Sequence, residues 1–239
     1  MTDVQLGDAA VLMFVVLPIV LAGALAWAAA VASLREGGAR PAASRLAFGV
    51  GAAASIWMAV TWYLAASGVL RDWNSNPPPF ALFILGIVSL GFLTAFSPSG
   101  RLIAIHIPLW ALVAIQGFRL PLELAMHSLY ERGIMPQQMS YTGRNFDIVT
   151  GATAIIVAAL LRAGRAGRNV VVLWNLLGAA LLLNVIVVAI LSTPRFQYFG
   201  PDRLSTFVTY PPFVWLPAVM VLAALAGHLI VFQALRVRR

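Results

Sequence analysis

Gln116, Arg119, Glu123, His127 and Tyr130 recur at spacings of three and four within an otherwise apolar stretch. At 100° per residue they share an arc of about 80°, so one helix carries them as a single stripe. An ionisable group inside a bilayer is costly, roughly 2.5 to 3.5 kcal/mol for a central Arg on insertion scales, so the stripe is expected to face protein or a wet cavity. Arg119 would anchor an anion or pair with a carboxylate, and Glu123 would carry a proton or ligate a cation. Pro121 removes an amide proton and frees the carbonyl of Gly117, which makes the segment kinked as well as polar. The competing structural reading pairs Arg119 with Glu123 along the helix or binds them to the outer loops, fixing the bundle and nothing more.

Asn145 and Asp147 stand where the next apolar run begins. Asp or Asn at such a place is the common chemistry of a helix N-cap. The same two residues are also plausible companions of Glu123 and His127, and they complete a candidate ligand-binding set of Gln116, Arg119, Glu123, His127, Asn145 and Asp147. Asn175 and Asn184, nine residues apart, point to opposite sides of one helix; Asn184 reads as an interhelical hydrogen-bonding residue.

The three histidines lie at different depths, which argues against one zinc site, and no HExxH motif occurs. His106 and His228 both fall toward the same membrane face. If their helices were neighbours, the two imidazoles could hold a b-type haem from opposite sides, the cofactor reading that competes with a small polar pocket. The chain has no cysteine and no lysine, which excludes thiol chemistry and a retinal Schiff base. No phosphate loop, serine elbow or dinucleotide fingerprint is present, so no reaction can be assigned.

These residues are positioned by a chain that is 61% hydrophobic and 10% charged, with a mean hydropathy of +0.90, a composition that belongs to a multi-pass membrane protein. Seven apolar runs read as spans: about Ala9 to Ser33, Leu46 to Val69, Phe80 to Phe96, Leu102 to Glu123, Phe146 to Leu161, Val170 to Leu191 and Phe213 to Leu235. The fifth is the shortest. The first lacks a basic leader and reads as a retained helix of the fold. With the N-terminus outside, inner segments collect Arg35, Arg40, Arg45, Arg101, Arg162, Arg165, Arg168, Arg236, Arg238 and Arg239, and six acids (Asp3, Asp8, Asp72, Glu131, Asp147 and Asp202) fall outside. This bias accounts for the pI of 11.2 with anionic lipid as partner and no nucleic acid. The segments Tyr130 to Asn145 and Arg195 to Pro212 mix aromatic and apolar residues with polar ones, and are expected to lie on or tuck into the outer interface.

The stretches Phe118-Arg119-Leu120-Pro121-Leu122-Glu123, Gln138-Met139, Gly143 to Ile148 with Gly151, Trp174-Asn175, Asn184, Ser192 to Phe196, Trp215-Leu216-Pro217 and His228 resemble a family of bacterial multi-pass membrane proteins of unknown function. The likeness covers roughly residues 115 to 235. It implies a shared fold and a shared outer site without naming an activity.

The expectation is one all-α integral membrane domain over residues 1–239, a seven-helix bundle of the bacterial inner membrane with a cytoplasmic C-terminus. An outward-facing polar pocket between the fourth span and the loop into the fifth would bind, sense or translocate a small solute or proton. Alternatives are a haem redox protein using His106 and His228, or a non-catalytic subunit that assembles with a membrane-protein partner or a second copy.

Overall fold

The structure, a computed structural model, describes residues 8–238; Asp3 and Arg239 of the charge pattern lie outside them. Every regular element among the described residues is helical. The chain forms α1 (Ala9–Arg35), α2 (Arg40–Ala66), α3 (Pro79–Phe96), α4 (Pro98–His106), α5 (Leu109–Ala114), α6 (Arg119–Glu131), α7 (Ile148–Arg162), α8 (Arg168–Leu191) and α9 (Leu222–Val237). A 3-10 turn, Ile115–Phe118, joins α5 to α6 as one stretch, and a π-helical turn, Leu216–Val221, leads into α9. Among the described residues six stretches are long and apolar enough to cross a membrane: α1, α2, α3, Leu109–Glu131, α8 and Leu216–Val237. Helix α7 is apolar but only 15 residues long.

The fourth run, expected over Leu102 to Glu123, is not one helix. Ile107 precedes Pro108 and is extended, φ −83° and ψ 129°, because a proline ring crowds a preceding residue out of the helical region. The run breaks there into short α4 and a membrane-length stretch, Leu109–Glu131, which ends eight residues later than expected. Arg119 and Glu123 therefore lie about 15 and 21 Å along that stretch, at mid-depth instead of at its outer boundary. His106 ends α4 and is not part of the span at all.

Arginines gather at one end of the bundle and bond to helix carbonyls that lack a partner within their own helix. Arg35 Nη1 donates to the His106 carbonyl at 2.7 Å. Arg238 Nη2 donates to the carbonyls of Ala104 at 3.0 Å, Ile105 at 3.2 Å and Ile107. Arg168 donates to Leu235, and the Arg162 guanidinium lies over the Trp110 ring at 5.1 Å. At the other end Arg132 pairs with Asp8.

Two apolar cores are stacked between these ends. One joins Phe14, Phe80, Ile87, Met126, Phe207 and Phe213. The other joins Ala32, Ile103, Val113, Ala154, Trp174 and Val231. Between them lies a layer of buried polar side chains, among them Gln116, Arg119, Thr150, Asn175 and His228.

The chain between α6 and α7 tucks into the bundle as its composition suggests. Met135, Gln138, Met139, Ser140, Asn145 and Asp147 are all buried, so protein encloses this part of the non-helical backbone, as its unpaired polar groups require at membrane depth. Gln138 Nε2 ties it to the Ser192 hydroxyl at 3.0 Å and the Arg203 carbonyl at 2.6 Å. Helix α7 is short because this segment occupies the rest of its path. Its start is pressed against α6 at Gly151, where an added Cβ would meet the Leu120 amide nitrogen, with Arg119 Cβ at 3.1 Å. A methyl there must push α7 off α6 at the level of Arg119. Gly151→Ala is expected to lower stability by roughly 1 to 3 kcal/mol, read as a lower thermal midpoint in detergent. Gly23→Ala, in open space, serves as the control and leaves the midpoint nearly unchanged.

Candidate functional site

The descending segment brings two polar side chains against α6. Arg119 Nη1 and Asp147 Oδ1 are 2.8 Å apart, and Arg119 is only 1% exposed. Asn145 Nδ2 donates to both Glu123 oxygens at 2.9 and 2.8 Å and to the Met139 carbonyl at 3.0 Å. Its Oδ1 accepts the Asp147 amide at 3.0 Å. Asn145 thus closes its own turn and presents an amide to Glu123 in the same conformation. Asp147 starts α7 yet makes no side-chain capping bond; its carboxylate is turned to Arg119, so the N-cap expectation fails for it.

Of the two carboxylates within reach of Arg119, the structure selects Asp147. Glu123 is 2% exposed and has no salt-bridge partner among the described residues. The cluster therefore contains one guanidinium and two carboxyl groups, and its charge balances only when one carboxyl carries a proton or a cation. Arg119 Nε and Nη2 are buried and lack acceptors.

A cavity of about 70 Å³ adjoins this cluster. Arg119, Glu123 and Asp147 form its polar wall; the remaining wall is apolar, from α3 (Phe80, Ile84, Ile87, Val88), α8 (Leu182, Val185, Ile186) and the π-helical turn before α9 (Leu216, Met220). The expected small polar pocket is thus an apolar cavity with one charged wall. The π-helical turn opens a backbone carbonyl at Ala218, which accepts the Trp57 indole N–H at 2.8 Å, and Trp215 returns a bond to Met58 at 3.0 Å. Wide helical turns of this kind recur beside functional cavities.

The other candidates lie elsewhere. Gln116 is taken up by α9: its Nε2 reaches the Ala224 carbonyl at 3.4 Å, and its amide fills the place where a Cβ on Gly227 would be. His127 is one turn beyond Glu123 and half-buried. Its Nδ1 meets the Ser140 hydroxyl at 2.9 Å, its Nε2 is 3.5 Å from Glu131, and its ring lies 4.4 Å from that of Tyr141. Neither residue lines the cavity. Asn184, expected to bond between helices, donates to the Arg144 carbonyl of the descending segment at 2.7 Å.

The residues proposed for haem do not fit it. Asn175 Nδ2 donates to the His228 carbonyl at 3.1 Å, which fixes the amide, so His228 Nδ1 donates to Asn175 Oδ1 at 2.7 Å. The remaining Nε2 faces packed chain: a Cβ on Gly178 would stand 3.0 Å from it and 2.8 Å from a Thr150 methyl. No room for a macrocycle exists there. Residues 104–107 are bonded at the level of Arg238, ten residues and about 15 Å along α9 from His228. The structure does not bring the two imidazoles together. Among the described residues no group of three His, Cys, Asp or Glu could hold a metal.

Sequence reasoning singled out Gln138 and Ser192 only through the family resemblance and passed over Ser140 and Thr150; all four are buried, and Gln138 and Ser140 bond within and around the descending segment. For Gln138 and Ser140 the signal was the alternation of polar residues with Met135 and Met139 in a nominal loop.

A family model described as "Domain of unknown function (DUF8737)" matches residues 78–236. The chain belongs to this family. The DUF8737 region begins just before α3, so the α1–α2 hairpin lies outside it, and the charge cluster and its cavity lie inside. No curated protein and no solved structure matches the chain.

Arg119→Ala leaves Asp147 as an unpaired buried acid, and is expected to lower stability by about 3 to 5 kcal/mol. Arg119→Met combined with Asp147→Leu is expected to restore most of that loss in the same unfolding assay. Equal losses in the single and double variants would contradict the pairing.

Proposed function

We propose that this is a seven-span membrane protein in which Glu123 holds an exchangeable proton or small cation beside the Arg119–Asp147 pair, for sensing or translocation. The observation that carries this reading is the position of Glu123: buried at mid-depth, lining a cavity, and bonded only to the Asn145 amide while the nearby guanidinium pairs with Asp147. A residue that served packing alone would be matched with a counter-charge. A third ionisable group with an uncharged partner is the arrangement of a proton-carrying site.

In this reading α7 is the seventh span, and residues 132–147 enter from the outer side and descend into the bundle to complete its crossing. The N-terminus and the exposed part of that segment around Gln137 face outward, and the Arg-rich end with Arg35, Arg162, Arg168 and Arg238 lies in the cytoplasm of a bacterial cell. An infrared difference spectrum of the reconstituted protein across a pH jump is expected to contain a carboxyl band that Glu123→Gln removes and Asp202→Asn leaves in place. A spectrum identical in wild type and Glu123→Gln would refute the proton-holding role.

Orientation has its own check, made clean by the absence of native cysteine. An impermeant thiol reagent applied to intact cells is expected to label Gln137→Cys and to spare Arg165→Cys. The reverse pattern overturns the orientation.

A further inference from the structure

The cavity beside Glu123 opens along the side of the bundle. Helices α3 and α8 both pack on α9 but not on one another over any length, and the space between them is walled by Ile84 and Val88 on one side and Val185 and Ile186 on the other. Ile84, Val88 and Ile186 are only partly buried. A molecule reaching the cavity by this route comes from lipid, and its body must be apolar. At the inner end it meets Arg119, 1% exposed, with Nε and Nη2 carrying hydrogens that no acceptor takes. A charged donor buried without an acceptor is an unfilled requirement that an oxygen atom of a ligand would meet.

The head of that molecule is constrained twice. Asp147 already balances Arg119, and Glu123 adds a second carboxyl, so an anionic head would place another negative charge beside two acids. The cluster also lies about 15 to 21 Å along the Leu109–Glu131 stretch, near the bilayer centre, where a phospholipid head cannot go without losing its hydration. Both constraints select an uncharged head that carries an acceptor oxygen.

We propose that the α3–α8 cavity binds a neutral lipid, an apolar chain bearing a carbonyl-type head, which enters sideways from the bilayer and accepts hydrogen bonds from Arg119. Prenylated quinones and diacylglycerols share this chemistry. The inference rests on the preceding reading in one respect, that the Glu123 cluster is a binding site and not a packing device.

The test uses the full chain in phosphatidylcholine nanodiscs, with a decyl-substituted benzoquinone, dioleoylglycerol and oleic acid as probes and the thermal midpoint as readout. At about 100 times its Kd, a ligand specific for the folded state raises the midpoint of a chain this size by roughly 5 °C or more. One or both neutral probes are expected to do so, the responding probe naming the source, and oleic acid is expected to have no effect. Ile186→Trp and Val88→Phe fill the cavity from opposite walls; each is expected to abolish the shift, and whichever retains the wild-type midpoint without probe decides. Failure of both neutral probes on wild type, an equal shift with oleic acid, or a shift that survives the cavity-filling variants overturns the proposal. A difference spectrum unchanged by Glu123→Gln, with the neutral-lipid shift intact, refutes the proton-holding role and supports this inference. A band that Glu123→Gln removes, with no lipid response in the wild type, does the opposite.

Discussion

A guanidinium buried midway along a membrane-length helical stretch must be matched inside the protein, and Arg119 is matched by Asp147. No neighbouring span offers that acid. Asp147 belongs to the segment between α6 and α7, so that segment must descend into the bundle to deliver it. The descent explains why α7 is short, why Gln138, Ser140 and Asn145 are buried in a nominal loop, and why Gly151 has no side chain where α7 meets α6.

The same constraint organises the surroundings. Polar side chains collect in one layer at the depth of Arg119, several with a local partner: Gln116 with the Ala224 carbonyl, His228 with Asn175, and Trp174 with the Thr153 hydroxyl at 3.1 Å. Apolar cores fill the space on either side. Because the hydrophobic effect gives little drive for helices to associate within lipid, close packing and such hydrogen bonds hold the bundle together. Glu123 stands apart in the layer above, an acid whose partner is an amide, and with Arg119 and Asp147 it forms the one wall of the cavity that is not apolar.

Much of the fold was legible from hydropathy, since α1, α3, α8 and the Leu216–Val237 stretch coincide closely with uninterrupted apolar runs. The break at Ile107-Pro108 was not, because the run stays apolar across it and hydropathy does not register a backbone turn. That error moved Arg119 and Glu123 toward the membrane surface and His106 into it. The site was legible as a set of residues: Arg119, Glu123, Asn145 and Asp147 do meet. Their pairing was not, because choosing Asp147 over Glu123 requires knowing how far a loop descends. Gln116 and His127 share the stripe's spacing, but α9 takes up the amide of one and a further helical turn lifts the other toward Ser140 and Tyr141. For the haem reading, depth along the chain suggested two helices facing one another; lateral packing, which no periodicity encodes, places Asn175 and Gly178 against His228 instead.

The account stands on the descent of the segment before α7, and amide hydrogen exchange of the protein in a lipid bilayer tests that most directly. Amides of residues 138–147 are expected to exchange as slowly as those of α6, since Met139, Ser140, Asn145 and Asp147 are buried among helices. Exchange at the rate of the exposed turn around Phe196 and Tyr198 would show that the segment lies at the surface, and Arg119 would then be without the partner on which this structure depends.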